Sequence, residues 1–325
     1  MAVDHLSSIP TLADVVAARE RIAPYLGPTQ LRRYPVLSEL VGTDVWVKHE
    51  NQNPTGAFKV RGGVNLVGQL SEDERERGLI AASTGNHGQS VAFASRAFGV
   101  RATICVPEGA NPLKVDAIRS LGAEIVSHGR DFDEAREHCA ALAERDGLRY
   151  VHSGNEPQLI AGVATATLEI LEREPEIDVI LVPIGGGSGA AGACVVAKAM
   201  GPEIEVIGVQ SEAAPAAYRS WRSRQIVEDS MGTFAEGLAT RVGFELPQQI
   251  LWEHLDDFVL VGEDELRQAI VQMIDATRQL VEAAGAAALA GALKMRAHLA
   301  GRRVALICSG GNITMDQLRS VLAQS

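Results

Sequence analysis

Short Val- and Ile-rich runs alternate along this chain with longer Ala- and Leu-rich stretches, and that alternation limits the fold more than any other feature. Residues 44–50 (DVWVKHE), 78–82 (GLIAA), 101–107 (RATICVP), 122–128 (GAEIVSH), 178–183 (DVILVP), 205–210 (EVIGVQ) and 303–308 (RVALIC) have the pattern of strands. Between them, residues 89–98, 112–121, 133–146 and 263–280 have the pattern of helices. Strands separated by helices build βαβ units and a parallel sheet, which predicts an α/β fold. Aromatic residues are only 4% of the chain, so its core must be made of Ala, Val, Leu and Ile. That mix suits parallel strands buried on both faces. At 325 residues the chain exceeds one ordinary core and predicts two compact units. The stretch 151–157 (VHSGNEP) reads as a crossing point between them.

Composition removes several functional classes. The net charge of −11, with no basic run, would repel a phosphate backbone, so no nucleic-acid partner is expected. Cys105, Cys139, Cys194 and Cys308 are scattered without metal-ligand or redox-motif spacing, and read as reduced, buried thiols. Met1 to Thr11 lacks the charged and apolar regions of a signal peptide. No apolar stretch reaches the ~20 residues that span a bilayer. The longest candidate, residues 283–293, reads as a small-residue helix inside the protein. A cytoplasmic enzyme with no membrane partner is expected.

Chemistry in open α/β sheets gathers beyond the carboxyl ends of the strands. Four loops lie at such ends. In Asn53-Pro54-Thr55-Gly56-Ala57-Phe58-Lys59, the lysine stands where a helix can begin. The helix dipole disfavours a cation there, which would lower its pKa and sharpen its amine as a nucleophile. An ordinary solvated lysine is the plain alternative. In Ser83-Thr84-Gly85-Asn86-His87-Gly88, free N–H groups at a helix start, with hydroxyl and amide donors, point to an anion site. In Gly185-Gly186-Gly187-Ser188-Gly189, four glycines and a serine exceed what a turn needs and suit a phosphate cradle. The fourth, Ser309-Gly310-Gly311-Asn312, places a serine where it can offer a ligand one neutral hydrogen bond.

Together these loops resemble the signature set of the fold-type II enzymes that use pyridoxal 5′-phosphate (PLP), and within them the serine/threonine dehydratase and serine racemase group. The resemblance spans almost the whole chain, with the loops in the family's order. It implies the tryptophan synthase β-like fold, with two open parallel-sheet α/β domains. The large PLP-binding domain would be 1–53 plus 154–325, and the small α/β domain 54–153. Lys59 would carry the cofactor as a Schiff base and act as the base on Cα, with Phe58 beside it. Asn86 would bond the ring hydroxyl and Ser309 would face the pyridine nitrogen. Gly185, Gly186, Gly187, Ser188 and Gly189 would hold the phosphate. Ser83, Thr84 and His87 would bind the substrate carboxylate, with Thr84 placed where racemases carry the opposite-face acid/base. The implied reaction is β-elimination from a β-hydroxy L-amino acid such as threonine or serine, giving a 2-oxo acid and ammonia, in a homodimer.

The chain also departs from that pattern. Ala57 stands where the family commonly has serine, and Thr84 replaces the racemase serine with a β-branched residue of restricted geometry. Gln210, Ala214 and Ala216 occupy the positions of a divalent-cation site without a carboxylate, so no metal is expected. Gly162-Val163-Ala164-Thr165 replaces a Gly-Gln-Gly-Thr run, and no regulatory domain is expected after Ser325. The rival readings are a PLP racemase, a dehydratase for a bulkier substrate and an inactive ligand-binding relative. A further rival, a nicotinamide oxidoreductase, rests on Gly187-x-Gly189-x-x-Gly192 with Glu212 past the next strand.

Overall fold

The computed structural model describes residues 9–324. The part of the Met1–Thr11 reading that falls before Ile9 therefore lies outside the described residues. Among the described residues, ten strands form two sheets. They are β1 (Leu31–Arg33), β2 (Asp44–His49), β3 (Leu79–Ala82), β4 (Ala102–Val106), β5 (Glu124–Ser127), β6 (Arg149–Tyr150), β7 (Val179–Pro183), β8 (Glu205–Ser211), β9 (Asp257–Val261) and β10 (Arg303–Cys308). The six-stranded sheet runs β1-β2-β10-β7-β8-β9 and the four-stranded sheet β5-β4-β3-β6. Every pairing is parallel except that of β1 with β2.

The seven strands read from the sequence are all present, and the structure adds three. The antiparallel edge strand β1 and the two-residue β6 are too short to show a pattern, and β9 is not among the Val- and Ile-rich runs named above. The helix assigned to 263–280 stops at Thr277, because Arg278 adopts a left-handed φ of 60°. The helix assigned to 89–98 starts three residues earlier, at Asn86, so that Asn86 and His87 form its first turn. Residues Ala283–Lys294 form the expected buried small-residue helix.

Small residues let helices meet at the backbone. Helix Lys59–Val67 crosses helix Pro157–Arg173 at Gly162, where a Cβ would lie 2.6 Å from Arg61 O and 2.7 Å from the Gly62 Cα. Two residues on, Ala164 packs against Gly192 of helix Ser188–Met200. Of the two departing positions in 162–165, Ala164 makes that contact, while Thr165, which does not depart, donates to Gly162 O and accepts from Arg61.

Four charges sit in this crossing. Arg61 reaches Glu50 at 2.7 Å and Glu169 at 2.6 Å, and Lys48 also pairs with Glu169. Lys48, Glu50 and Arg61 are buried. Two cations and two carboxylates balance, and Thr29 Oγ1 donates to Glu50 at 2.6 Å. Arg61→Ala would leave both carboxylates short of their partner. It should cost about 3–5 kcal/mol, read as a lower denaturation midpoint. A loss below about 1 kcal/mol would mean that the network behaves like a surface pair.

Candidate active site

Lys59 is positioned by loops that the sheet brings together. After β2, Gly56 takes a left-handed φ of 69°, and the chain is stitched to the loop after β10. Phe58 N–H donates to Ser309 O at 3.0 Å, Gly311 N–H donates to Gly56 O at 2.9 Å, and Ala57 bridges Gly310. Lys59 is therefore the first residue of its helix, as expected, with Nζ inside a cavity of about 410 Å3. Its amine donates to Ser153 O at 2.8 Å and to Ser188 Oγ at 2.9 Å. Burial lowers its pKa from 10.5 to about 8.

The glycine loop lies at the start of helix Ser188–Met200, two residues before the expected start near Ala190. Gly187 has a left-handed φ of 91°, a conformation that Cβ-bearing residues rarely take. Among the described residues, the backbone N–H groups of residues 185–189 donate to no protein acceptor. A row of free donors at a helix N-terminus is an anion site.

Each site residue expected from the sequence lines this one cavity: Phe58, Lys59, Ser83, Thr84, Asn86, His87, the Gly185–Gly189 loop and Ser309. Their hydrogen bonding differs. Ser83 Oγ accepts from Gly88 N at 2.9 Å and so caps the helix that follows. His87 is buried, its Nε2 is 3.2 Å from Val151 O, and its Nδ1 has no partner. Burial, reinforced by the Lys59 charge, pushes His87 down to about 3, so the ring is neutral at physiological pH.

Sequence reasoning passed over several lining residues. Glu282 lies just before the Ala283–Lys294 helix, and burial raises its pKa above the ordinary carboxylate range. Its Oε1 accepts from Asn86 Nδ2 at 2.8 Å, while Asn312 Nδ2 donates to Asn86 Oδ1 at 2.7 Å. A lone acid heading an apolar run was the signal available for Glu282, and Asn312 ends a loop already singled out. Glu212 turns away from the loop that the nicotinamide reading would pair with it: its carboxylate bonds Lys294 at 3.1 Å and is 55% exposed. Gln210 is buried, with Oε1 accepting from Tyr218 N at 3.0 Å. Among the described residues, no three His, Cys, Asp or Glu cluster as metal ligands.

A desolvated lysine, a row of free N–H donors and buried neutral donors in one cavity fit a phosphorylated aldehyde cofactor. Comparison with known proteins agrees. Residues 22–310 match the family described as pyridoxal-phosphate dependent enzyme, and the chain belongs to that family. It is 38% identical over 315 residues to an L-threonine ammonia-lyase of Thermotoga maritima, covering 96% of this chain and 78% of that protein. Processed threonine deaminase isoform 2 of Solanum lycopersicum superposes with a TM-score of 0.92 at 32% identity, covering 97% and 92% of the two chains. Serine racemase of Dictyostelium discoideum does so with 0.90 at 32% identity, covering 95% and 100%.

The lowered pKa of Lys59 has a kinetic consequence. Only the neutral amine attacks an aldehyde, so PLP uptake by the apoprotein should rise with pH through about 8 rather than near 10.5. Borohydride should then fix the cofactor on Lys59, located by peptide mass spectrometry. An adduct on another lysine would overturn the assignment.

Proposed function

We propose that the chain is a PLP-dependent ammonia-lyase that converts β-hydroxy L-amino acids, threonine and serine among them, to 2-oxo acids and ammonia. The observation that carries this reading is the Lys59 amine, desolvated and held beside an unpaired N–H cradle. The similarity to an L-threonine ammonia-lyase and a threonine deaminase supports it.

When bound, the cofactor supplies an aldehyde for the substrate amine and a ring that withdraws electrons from Cα. The protein's part is binding and proton transfer. The N–H groups of Gly185, Gly186, Gly187, Ser188 and Gly189 would hold the phosphate. Asn86 would donate to the ring hydroxyl and Ser309 would give the ring nitrogen a neutral partner, with Phe58 beside the lysine. Ser83 and Thr84 offer hydroxyls to the substrate carboxylate, and His87, whose neutral ring donates through Nε2 to Val151 O, lines the pocket beside them. Lys59, its pKa lowered by burial to about 8, would take the Cα proton. The β-hydroxyl leaves as water, and hydrolysis of the released enamine takes up one water and frees ammonia.

The reading includes two domains, 54–153 and the remainder (1–53 plus 154–325). It is supported by the four-stranded sheet, whose strands all lie between Leu79 and Tyr150. It also includes a cytoplasmic homodimer. The four buried free cysteines favour a reducing compartment, and no helix among the described residues is long and apolar enough to cross a membrane.

Elimination should prevail over racemisation. Thr84 is β-branched where a hydroxyl would deliver a proton to the opposite face, and Ser309 does not protonate the ring nitrogen. L-Threonine should therefore yield ammonia and 2-oxo acid with little D-isomer, measured by ammonia release and chiral chromatography of the remaining pool. Thr84→Ser should raise the racemised share. An unchanged share would show that Thr84 does not limit it.

A further inference from the structure

The cavity also carries large apolar side chains to which the proposed reaction gives no role. Its rim carries Phe132, Met231 and Phe244. Phe132 opens helix Phe132–Asp146, which packs on the four-stranded sheet, whereas Met231 and Phe244 come from the segment between β8 and β9. Phe132 and Met231 are 38% and 39% exposed, so two large apolar side chains face solvent at the mouth of a polar site. Phe244 is held in place: its ring meets His152 edge-on at 4.9 Å. It also lies over Gly186, where a Cβ would come 2.1 Å from it.

The charged groups nearby are committed. Lys114 pairs with Glu236, whose other oxygen accepts from Gln317 at 2.9 Å. Arg136 and Arg241 both approach Asp133, at 3.2 and 3.7 Å, and neither lines the cavity. Burial pushes His87 to about 3 and His152 to about 4, so both are neutral. With Glu236 and Glu282 also lining the site, no cation among the described lining residues is left over once Lys59 carries the cofactor. A second substrate carboxylate would find no partner, and a methyl or hydrogen on Cβ would leave the apolar rim wet.

We infer that this site selects β-hydroxy α-amino acids bearing a bulky apolar or aromatic β-substituent, with Phe132, Met231 and Phe244 as the specificity-determining residues. The inference rests on the proposed ammonia-lyase reading and names the substrate class of that same site. The reaction balances without an oxidant: the Cβ–O bond breaks, one water leaves and one returns, and an aryl-bearing 2-oxo acid and ammonia are released.

The test is kcat/KM of the PLP-loaded enzyme for L-threo-3-phenylserine, L-threonine and L-threo-3-hydroxyaspartate, read as 2-oxo acid release. Phenylserine should exceed threonine by about tenfold or more, the scale on which apolar pockets discriminate, and hydroxyaspartate should be slowest. Phe132→Ala and Met231→Lys should each lower the phenylserine-to-threonine ratio by about tenfold. Met231→Lys should also raise the hydroxyaspartate-to-threonine ratio. Because each readout is a ratio within one preparation, partial misfolding cancels. Threonine turned over as well as phenylserine would overturn the inference and leave the ammonia-lyase reading standing, and so would ratios that the variants do not move. Absence of oxo acid from all three would bring down both.

Discussion

The ion set of Lys48, Glu50, Arg61 and Glu169, the first three of them buried, is the constraint on which the site depends. Charges far from water are tolerated only when each is paired and its remaining hydrogen bonds are met. Burial works against the Glu50 carboxylate, yet Arg61, Lys48 and Thr29 together outweigh it and hold its pKa below the usual range. Arg61 therefore has one place to go, between the end of β2 and helix Pro157–Arg173. Lys59 is two residues earlier on the same helix, so the position of the reactive amine follows from that of the guanidinium. The Gly62–Gly162 contact sets how close the two helices come, and the ion set fixes their register.

Much of this was legible in the sequence. Parallel strands buried on both faces give unbroken apolar runs, and the loops after them concentrate Gly, Ser, Thr and Asn where neither core nor helix would. Lys59, Asn86, the Gly185–Gly189 loop and Ser309 stand out in the sequence because each lies at such a junction, and the structure brings them to one cavity. Glu282, Ser153 and the apolar rim follow no such rule. Ser153 contributes only a backbone carbonyl, which no side-chain pattern can reveal. Phe132 and Met231 lie about a hundred positions apart in the chain, and only the docking of two sheets brings them to one opening. Arg61 and Glu169 were invisible for another reason. A charge inside a helix pattern looks like a solvated face until its partner is known.

Desolvation gives the site a consistent electrical character. Burial lowers Lys59, His87 and His152 and raises Glu282, which in every case favours the neutral form. The strong fixed anion receptor that remains is the backbone at the start of helix Ser188–Met200. Its N–H groups cannot titrate, so in the proposed reaction phosphate anchoring there would be decoupled from the proton that Lys59 gains and loses. A lysine or arginine in that place would hold the anion as well. Its charge, a few ångströms from Lys59, would lower the amine's pKa further.

The amide of Asn86 shows how the surroundings orient a group that has no preferred orientation of its own. Asn312 Nδ2 donates to Thr55 O at 2.9 Å, and a backbone carbonyl can only accept, so the nitrogen and oxygen of Asn312 are distinguished. The same Nδ2 donates to Asn86 Oδ1, which in turn sets the sense of Asn86. Asn86 Nδ2 then faces Glu282, which accepts at 2.8 Å. Each link has one consistent direction, beginning at a group with no alternative. Reversing Asn86 would set two N–H donors against each other at Asn312 and point an oxygen at the Glu282 carboxyl. The chain thus presents an N–H to the cavity in one sense only, with the second Nδ2 hydrogen uncommitted. That is the requirement for a side-chain donor that must meet an acceptor on a bound ring without being reoriented first.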